Sequence, residues 1–159
     1  MRNRIQDELG IEIYDIYGLT EVYGPGIGIS CDAHDGMHIW DDFVYIEIVD
    51  PETGEECGIG EPGELCCKGY NVMKGYYKMP EETAKAIDVN GFLHSGDMGT
   101  VDEDGYFRVT GRIKDMIIRG GENIYPLEVE NFLLTMPGVL DAQVVPEDFH
   151  ARYAAHTKT

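Results

Sequence analysis

Apolar and polar residues alternate along several short segments in the first two thirds of the chain. Alternation places the apolar side chains on one face of an extended backbone, which is typical of β-strands. The pattern predicts strands at residues 11–17, 43–49, 63–69 and 106–110. Turn-forming pairs such as Asn90-Gly91 and Asp104-Gly105 lie between segments of this kind. The sequence therefore predicts a sheet-rich fold.

Three segments carry the signals of helices instead. Residues 2–9 are followed by Gly10, a common stop signal, and residues 80–86 begin with a proline and two acidic residues. From Pro126 onwards, apolar residues recur on one face of a helix until Pro137-Gly138 ends it. Short helices are thus expected among the strands.

The character of the chain changes near residue 112. Strands dominate before it, whereas after it a short apolar strand at residues 115–119, a helix and a further strand at residues 139–145 follow one another. We predict a domain boundary that separates residues 1–111 from residues 112–159. The expected fold class is α/β in the broad sense that includes α+β, with a β-rich first part and an αβ second part.

The charge is strongly acidic and unevenly distributed. The formal net charge is −18, with 30 acidic and 12 basic residues. This balance argues against binding to nucleic acid or to an anionic membrane, since both surfaces would repel the chain. Residues 5–67 contain 16 carboxylates and no lysine or arginine. If the ligand is a nucleotide, this half must contact the phosphates through backbone amides, hydroxyls or a metal ion held by carboxylates.

The four cysteines show no disulfide pattern, and two of them, Cys66 and Cys67, are adjacent. We expect reduced thiols and a cytoplasmic protein. Cys31, His34 and His38 could suggest a zinc site, but a fourth ligand is not evident, and a solvated loop is the favoured interpretation. No apolar run approaches the roughly 20 residues needed to cross a bilayer, and no signal peptide is expected.

Several segments combine residues that suit a nucleotide. In residues 17–21, the ring of Tyr17 could stack on a base, the hydroxyl of Thr20 could donate to a phosphate, and the carboxylate of Glu21 could hold Mg²⁺. In residues 94–97, expected to form a loop, Asp97 could accept both ribose hydroxyls. Taken alone, an ordinary turn is the better explanation of each segment.

Two further segments lie around the predicted boundary. Residues 111–115 bring two cations, Arg112 and Lys114, close to the expected junction of two domains, where polyanions often bind. Gly120 and Gly121 would allow a ligand to approach the backbone closely. A charged turn before a strand is an equally good explanation of the first segment.

The order and spacing of these segments are more specific than any one of them. Over residues 11–145 the chain closely resembles the adenylate-forming superfamily of acyl- and aryl-CoA synthetases, peptide-synthetase adenylation domains and luciferases. The matching motifs are Tyr17-Gly18-Leu19-Thr20-Glu21, Gly63-Glu64-Leu65, Gly75-Tyr76-Tyr77, Gly91-Phe92-Leu93-His94-Ser95-Gly96-Asp97, Gly105-Tyr106, Gly111-Arg112 and Gly121-Glu122-Asn123-Ile124-Tyr125-Pro126-Leu127-Glu128-Val129-Glu130.

The resemblance implies a role for each residue at a matching position. Tyr17 would stack against adenine, with Gly18 beside it in the nucleotide site. Thr20 would contact the α-phosphate, and Glu21 would help to hold Mg²⁺. Asp97 would accept the ribose hydroxyls. These residues would form most of an adenylate site.

The same resemblance implies roles for residues after the predicted boundary. Arg112 would lie close to the ribose, and Lys114 would occupy the hinge about which the small domain rotates between two half-reactions. Gly120 and Gly121 would line the path of the pantetheine arm of coenzyme A. The fold implied is the β-rich C-terminal lobe of a large adenylate-binding domain, followed by the start of a small mobile domain.

The implied activity is that of an AMP-forming ligase. A small-molecule carboxylic acid and ATP, with Mg²⁺, would give an acyl-adenylate and pyrophosphate, and coenzyme A would then displace AMP. The family's Ser/Thr/Gly-rich phosphate loop and its C-terminal catalytic lysine have no match in the sequence. We therefore expect a C-terminal-side fragment, inactive alone and completed by the missing N-terminal portion or a complementing chain.

Other functions remain open at this stage. The chain could be a nucleotide-binding module without turnover, a split-enzyme subunit, or an adenylation domain that loads a carrier protein. The substrate class is also open, because the two halves of the chain resemble different relatives. Residues 11–54 are similar to phenylacetate-type aryl-CoA ligases, and residues 60–145 are similar to medium- and long-chain acyl-CoA synthetases.

Overall fold

The computed structural model describes residues 2–23, 26–34, 36–120 and 122–145. The chain divides into two compact units, Met1–Val109 and Thr110–Thr159, whereas the sequence placed the boundary after residue 111. That these units are parts of two domains of a larger enzyme stays a prediction.

The described residues contain short strands and three short α-helices, joined by turns and loops. The strands are β1 (Ile16–Tyr17), β2 (Gly28–Ser30), β3 (Met37–Ile39), β4 (Tyr45–Val49), β5 (Gly63–Lys68), β6 (Leu93–Val101), β7 (Phe107–Arg112), β8 (Ile117–Arg119) and β9 (Glu122–Ile124). The helices are α1 (Arg2–Leu9), α2 (Pro80–Ala86) and α3 (Pro126–Leu134), with a 3₁₀ helix at Ile113–Asp115. The sheet-rich α+β class predicted from the sequence is confirmed.

In the described part of the chain, seven strands form one sheet in the order β1-β2-β3-β7-β6-β5-β4. Strands β4, β5 and β6 pair antiparallel with their neighbours along the chain. Strand β3 pairs with β7 through Met37 and Phe107, which brings the first strands of the sheet to the last. In the second unit, β8 and β9 form a separate antiparallel hairpin.

The core of the first unit lies against one face of the central strands. Its buried side chains are Val22, Ile27, Val44, Cys67 and Leu93. Every residue of β5 from Gly63 to Cys67 is buried, so the strand is covered on both faces, and β4 and β6 pair with its two edges. Cys67 faces the core, and successive side chains alternate, so Glu64 and Cys66 lie on the opposite face.

Local signals predicted the turns and helices well. Helices α1 and α2 have the predicted bounds, and α3 begins at the predicted Pro126. Gly10 ends α1 at a φ of 64°, and Gly91 and Gly105 have φ values of 83° and 82° in their turns. A positive φ is accessible to glycine without a steric penalty, which explains why these turns were predictable.

Two predicted strands were wrong in length or absent. The strand expected at residues 11–17 contains only Ile16–Tyr17, and the strand expected at residues 139–145 does not form among the described residues. In the second segment, the Val144 amide donates to Glu130 Oε1 on α3 instead of a neighbouring strand. Alternation is a local property, whereas a strand also needs a hydrogen-bonding neighbour.

Conversely, the alternation pattern did not predict two of the short strands, β2 and β3. Gly28 is buried in β2, where a Cβ would lie 3.0 Å from the Ile39 side chain. Close packing between neighbouring strands thus explains the glycine at this position.

Candidate functional site

A tyrosine and a buried carboxylate from distant parts of the chain meet at the end of β1. The Tyr17 hydroxyl donates a hydrogen bond of 2.8 Å to Asp97 Oδ2. Asp97 is only 6% exposed. Burial raises the pKa of Tyr17, and the negative charge of Asp97 raises it further, so the phenol stays protonated. The two residues that the sequence assigned to adenine and ribose are therefore neighbours.

Asp97 lies inside a strand, which corrects the prediction that residues 94–97 form a loop. These residues belong to β6, but the strand is irregular there. The Asp97 amide donates to Ser95 Oγ at 3.0 Å, and Gly96 has a φ of 74°. The irregularity places the motif where the sheet ladder is interrupted, which is why its composition resembled that of a loop.

Thr20 and Glu21 form a second polar group, in the turn that follows β1. The Thr20 hydroxyl donates to Glu21 Oε2 at 2.8 Å, and the Tyr76 hydroxyl donates to Glu21 Oε1 at 2.9 Å. Partial burial alone would raise the pKa of Glu21, but hydrogen bonds from Thr20, from Tyr76 and from the backbone outweigh it, so the pKa lies below its usual value. Glu21 is thus held as an anion.

Tyr76 is a residue of this group to which the sequence assigned no role. Its backbone amide donates to Thr83 Oγ1 at 2.9 Å, and the Thr83 hydroxyl donates to the Met79 carbonyl at 2.8 Å. The first turns of α2 therefore fix the position of the tyrosine. The motif Gly75-Tyr76-Tyr77 was recognised in the sequence, but only the fold shows that Tyr76 reaches Glu21.

The turn that carries Thr20 and Glu21 is fixed by two neighbouring segments. The Met73 amide donates to the Glu21 carbonyl at 2.7 Å, and the Tyr23 amide donates to the Asn71 carbonyl at 2.8 Å. A Cβ at Gly18 would lie 3.2 Å from the Cα of Gly26, so a side chain there would push the backbones apart. Gly18 thus serves close packing beside Tyr17.

The remaining predicted site residues belong to the second unit. Arg112 is exposed at the end of β7, and Lys114 is exposed in the 3₁₀ helix. Gly120 has a φ of 65° in the turn between β8 and β9. Gly121 lies outside the described residues. The roles of all four in ribose binding, hinge motion and coenzyme A binding stay predictions.

In the described part of the chain, the residues whose side chains could share a metal ion differ from those considered for zinc in the sequence. Among the described residues, the group whose donor atoms could share a metal ion is Glu64, Cys66 and His94, and it includes none of Cys31, His34 and His38. No helix in the described ranges is long and apolar enough to cross a bilayer.

Comparison with known proteins gives consistent results. The family model described as AMP-binding enzyme matches residues 1–77. A feruloyl-CoA synthase of Amycolatopsis sp is 45% identical over 141 residues, which cover 86% of this chain and 28% of that protein. The chain thus spans less than a third of the length of curated relatives that it matches.

Two solved structures of similar proteins contain an adenine nucleotide. ATP-bound MatB from Rhodopseudomonas palustris matches with a TM-score of 0.76 at 34% identity, over 91% of this chain and 29% of that one. The o-succinylbenzoate CoA synthetase MenE of Bacillus subtilis, in complex with its acyl-adenylate intermediate, matches with a TM-score of 0.73 at 34% identity, over 89% and 30% of the two chains. By sequence and by fold, the chain belongs to the adenylate-forming, AMP-binding superfamily and is similar to its acyl-CoA ligases.

Proposed function

We propose that the chain contributes the adenylate-binding platform of an AMP-forming acid–thiol ligase. In the first half-reaction, a carboxylate oxygen attacks the α-phosphorus of ATP and pyrophosphate leaves. In the second, the thiol of coenzyme A attacks the acyl carbon and AMP leaves. The names of the relatives, feruloyl-CoA synthase and o-succinylbenzoate CoA synthetase, support this pair of steps.

The nucleoside would be held by Tyr17 and Asp97. The hydroxyl of Tyr17 is engaged by Asp97, which restricts rotation of the ring on which an adenine base would stack. A carboxylate has about four lone-pair directions, so Asp97 can accept ribose hydroxyls while it keeps the bond from Tyr17. Base and sugar would then be recognised by two residues that orient each other.

The phosphates would be bound by Thr20 and Glu21. The Thr20 hydroxyl can rotate from Glu21 towards a phosphate oxygen. The ionised Glu21 carboxylate offers the hard oxygen ligands that Mg²⁺ prefers, and its hydrogen bonds leave lone pairs for an ion. Bound Mg²⁺ would neutralise phosphate charge. This assignment suits a segment, residues 5–67, in which lysine and arginine are absent.

The observation that carries the proposal is the hydrogen bond between Tyr17 and Asp97, because it joins the predicted base and ribose contacts in one place. We expect the 159-residue chain to bind a non-hydrolysable acyl-adenylate analogue saturably. Asp97→Ala should weaken binding by at least about tenfold, since hydrogen bonds to a charged group are lost. Isothermal titration calorimetry measures both affinities.

The matched control is Asp104→Ala, which removes an exposed carboxylate from the turn between β6 and β7. It should leave the affinity unchanged. Since Asp97 is buried, truncation to alanine also changes the packing around it. Asp97→Asn is therefore measured as well, because it keeps the size of the side chain. Equal effects of the Asp97 and Asp104 variants, or no binding by a folded wild-type chain, would contradict the proposed site.

A further inference from the structure

Strand β6 departs from its pairing with β5 just where the candidate site begins. Cys66 is paired with His94, and Glu64 is paired with Met98. Between these pairs β5 advances by two residues and β6 by four, so β6 forms a bulge at residues 95–97. A bulge leaves backbone amides without a partner in the ladder. The backbone amides of residues 95–97 therefore need a hydrogen-bond acceptor outside the neighbouring strand.

The carboxylate of Glu64 fulfils this requirement. Glu64 Oε1 accepts a hydrogen bond of 2.9 Å from the Gly96 amide, and Oε2 lies 2.9 Å from His94 Nδ1. Glu64 is only 7% exposed. A buried carboxylate is costly unless it is hydrogen bonded. Its two contacts, which flank Ser95, therefore stabilise both the carboxylate and the bulge.

We propose that Glu64 is the positioning residue of the ribose contact: it holds the β6 bulge in the one conformation that presents Asp97 to Tyr17. This inference rests on the proposed function of Asp97. Glu64 acts through the Gly96 amide, one residue before Asp97, and through His94 at the start of the bulge. The adjacent Ser95 hydroxyl accepts the Asp97 amide and completes the support.

A metal ion is the competing explanation of this group. Cys66 Sγ lies 3.4 Å from His94 Nδ1, and the three donor atoms lie within 4.8 Å of one another. However, these atoms satisfy one another by hydrogen bonding, since Cys66 Sγ and Glu64 Oε2 both lie within hydrogen-bonding distance of His94 Nδ1. Glu64 Oε1 is also already engaged by Gly96. The hydrogen-bonded arrangement accounts for the group without an ion.

The first test needs no ligand. In the isotope-labelled chain, NMR should detect a scalar coupling through the hydrogen bond between the Gly96 nitrogen and the Glu64 side-chain carboxyl carbon. In Glu64→Ala, hydrogen exchange at the Gly96 amide should accelerate by at least about tenfold relative to the amide of Ile48 in β4. Glu64→Gln should stay close to wild type, because its amide oxygen can still accept the bond.

The matched control for exchange is Glu61→Ala. Glu61 Oε2 also accepts a backbone amide, that of Gly58 at 2.8 Å, but in an exposed turn away from the bulge. This variant should accelerate exchange at Gly58 and leave Gly96 unchanged. Absence of the coupling in wild type would overturn the proposal even if Glu64→Ala does not fold. Slower exchange at Gly96 on addition of Zn²⁺ would assign the group to a metal and overturn it too.

The second test connects the bulge to the ribose. Affinities for an acyl-adenylate analogue and for its 2′-deoxy counterpart are measured in wild type, Glu64→Ala, Asp97→Ala and the double variant. The preference for ribose is the ratio of the two affinities. Glu64→Ala as a single substitution should reduce this ratio by about tenfold, whereas in a chain that already carries Asp97→Ala it should have no further effect. A general structural defect would lower both affinities equally.

The two proposals can fail separately. If no folded form binds the adenylate analogue, yet Gly96 exchange depends on Glu64, the proposed function is wrong and the support of the bulge stands. If binding depends on Asp97 and the ribose preference is unaffected in Glu64→Ala, Glu64 is not a positioning residue for the ribose contact.

Discussion

Tyr17 illustrates how one residue can serve both the fold and a ligand. Its hydroxyl donates to Asp97, while its ring packs at the edge of the core formed by Val22, Val44 and Leu93. The hydrogen bond restricts rotation of the ring, so an adenine base would meet a surface that is already oriented. Preorganisation of this kind lowers the entropic cost of binding.

At the residue scale, we expect Tyr17→Phe to destabilise the chain by about 1–3 kcal/mol, because the buried Asp97 loses a hydrogen-bond donor. Urea unfolding followed by circular dichroism measures the change. Since the pKa of Tyr17 is raised on folding, the unfolded chain releases this proton first, and wild-type stability falls as pH rises past the ordinary value of 10.0. The difference in the free energy of unfolding between wild type and Tyr17→Phe should therefore become smaller above that pH.

The exposed Tyr23 supplies the control, since Tyr23→Phe should leave stability unchanged. A Tyr17→Phe variant as stable as wild type at neutral pH would mean that the hydrogen bond to Asp97 contributes nothing to the folded state.

At the scale of elements, β5 organises the sheet and carries Glu64 towards the site. Its first residue, Gly63, is buried where the 55–57 segment returns to β4. A Cβ at Gly63 would lie 2.6 Å from Cys57 Sγ, 2.7 Å from the Val49 carbonyl and 2.8 Å from the Ile48 side chain. The carbonyl belongs to the β4 backbone, which cannot yield without disturbing the pairing with β5.

We therefore expect Gly63→Ala to destabilise the first unit by about 1–3 kcal/mol through overpacking. Thermal unfolding followed by circular dichroism measures the loss, which should appear as a lower Tm. Gly69→Ala would clash similarly at the other end of the strand, so it is no control. Gly18→Ala is milder, because its Cβ would meet the Gly26 backbone at 3.2 Å. A Tm loss for Gly63→Ala no larger than for Gly18→Ala would contradict the packing argument.

At the scale of the whole molecule, the first unit exposes a large apolar surface. Trp40, Phe43 and Tyr70 are 53%, 50% and 79% exposed and line a cavity of about 440 Å³ together with the buried Ile27 and Val44. Exposed aromatic patches of this kind favour association with another protein surface. The chain spans 28% of the feruloyl-CoA synthase to which it is similar.

We expect the 159-residue chain alone not to catalyse carboxylate-dependent exchange between ATP and pyrophosphate. The phosphate loop and the catalytic lysine of the family have no match in the sequence, and without their charges the pentacoordinate transition state at the α-phosphorus is not stabilised. Incorporation of labelled pyrophosphate into ATP measures the reaction, with a full-length acyl-CoA ligase as the positive control. Exchange that survives purification and disappears in Asp97→Ala would contradict this expectation.

The sequence by itself determined the turns, the helices and the residue types of the site. Pro80 with its following acidic residues predicted α2, and glycines at positive φ marked the turns, because these signals act within a few residues. Only the tertiary structure decided which strands pair, that Tyr17 meets Asp97 and that Tyr76 reaches Glu21. These contacts join residues 55 to 80 positions apart, and long-range packing and strand register, not local pattern, bring such residues together.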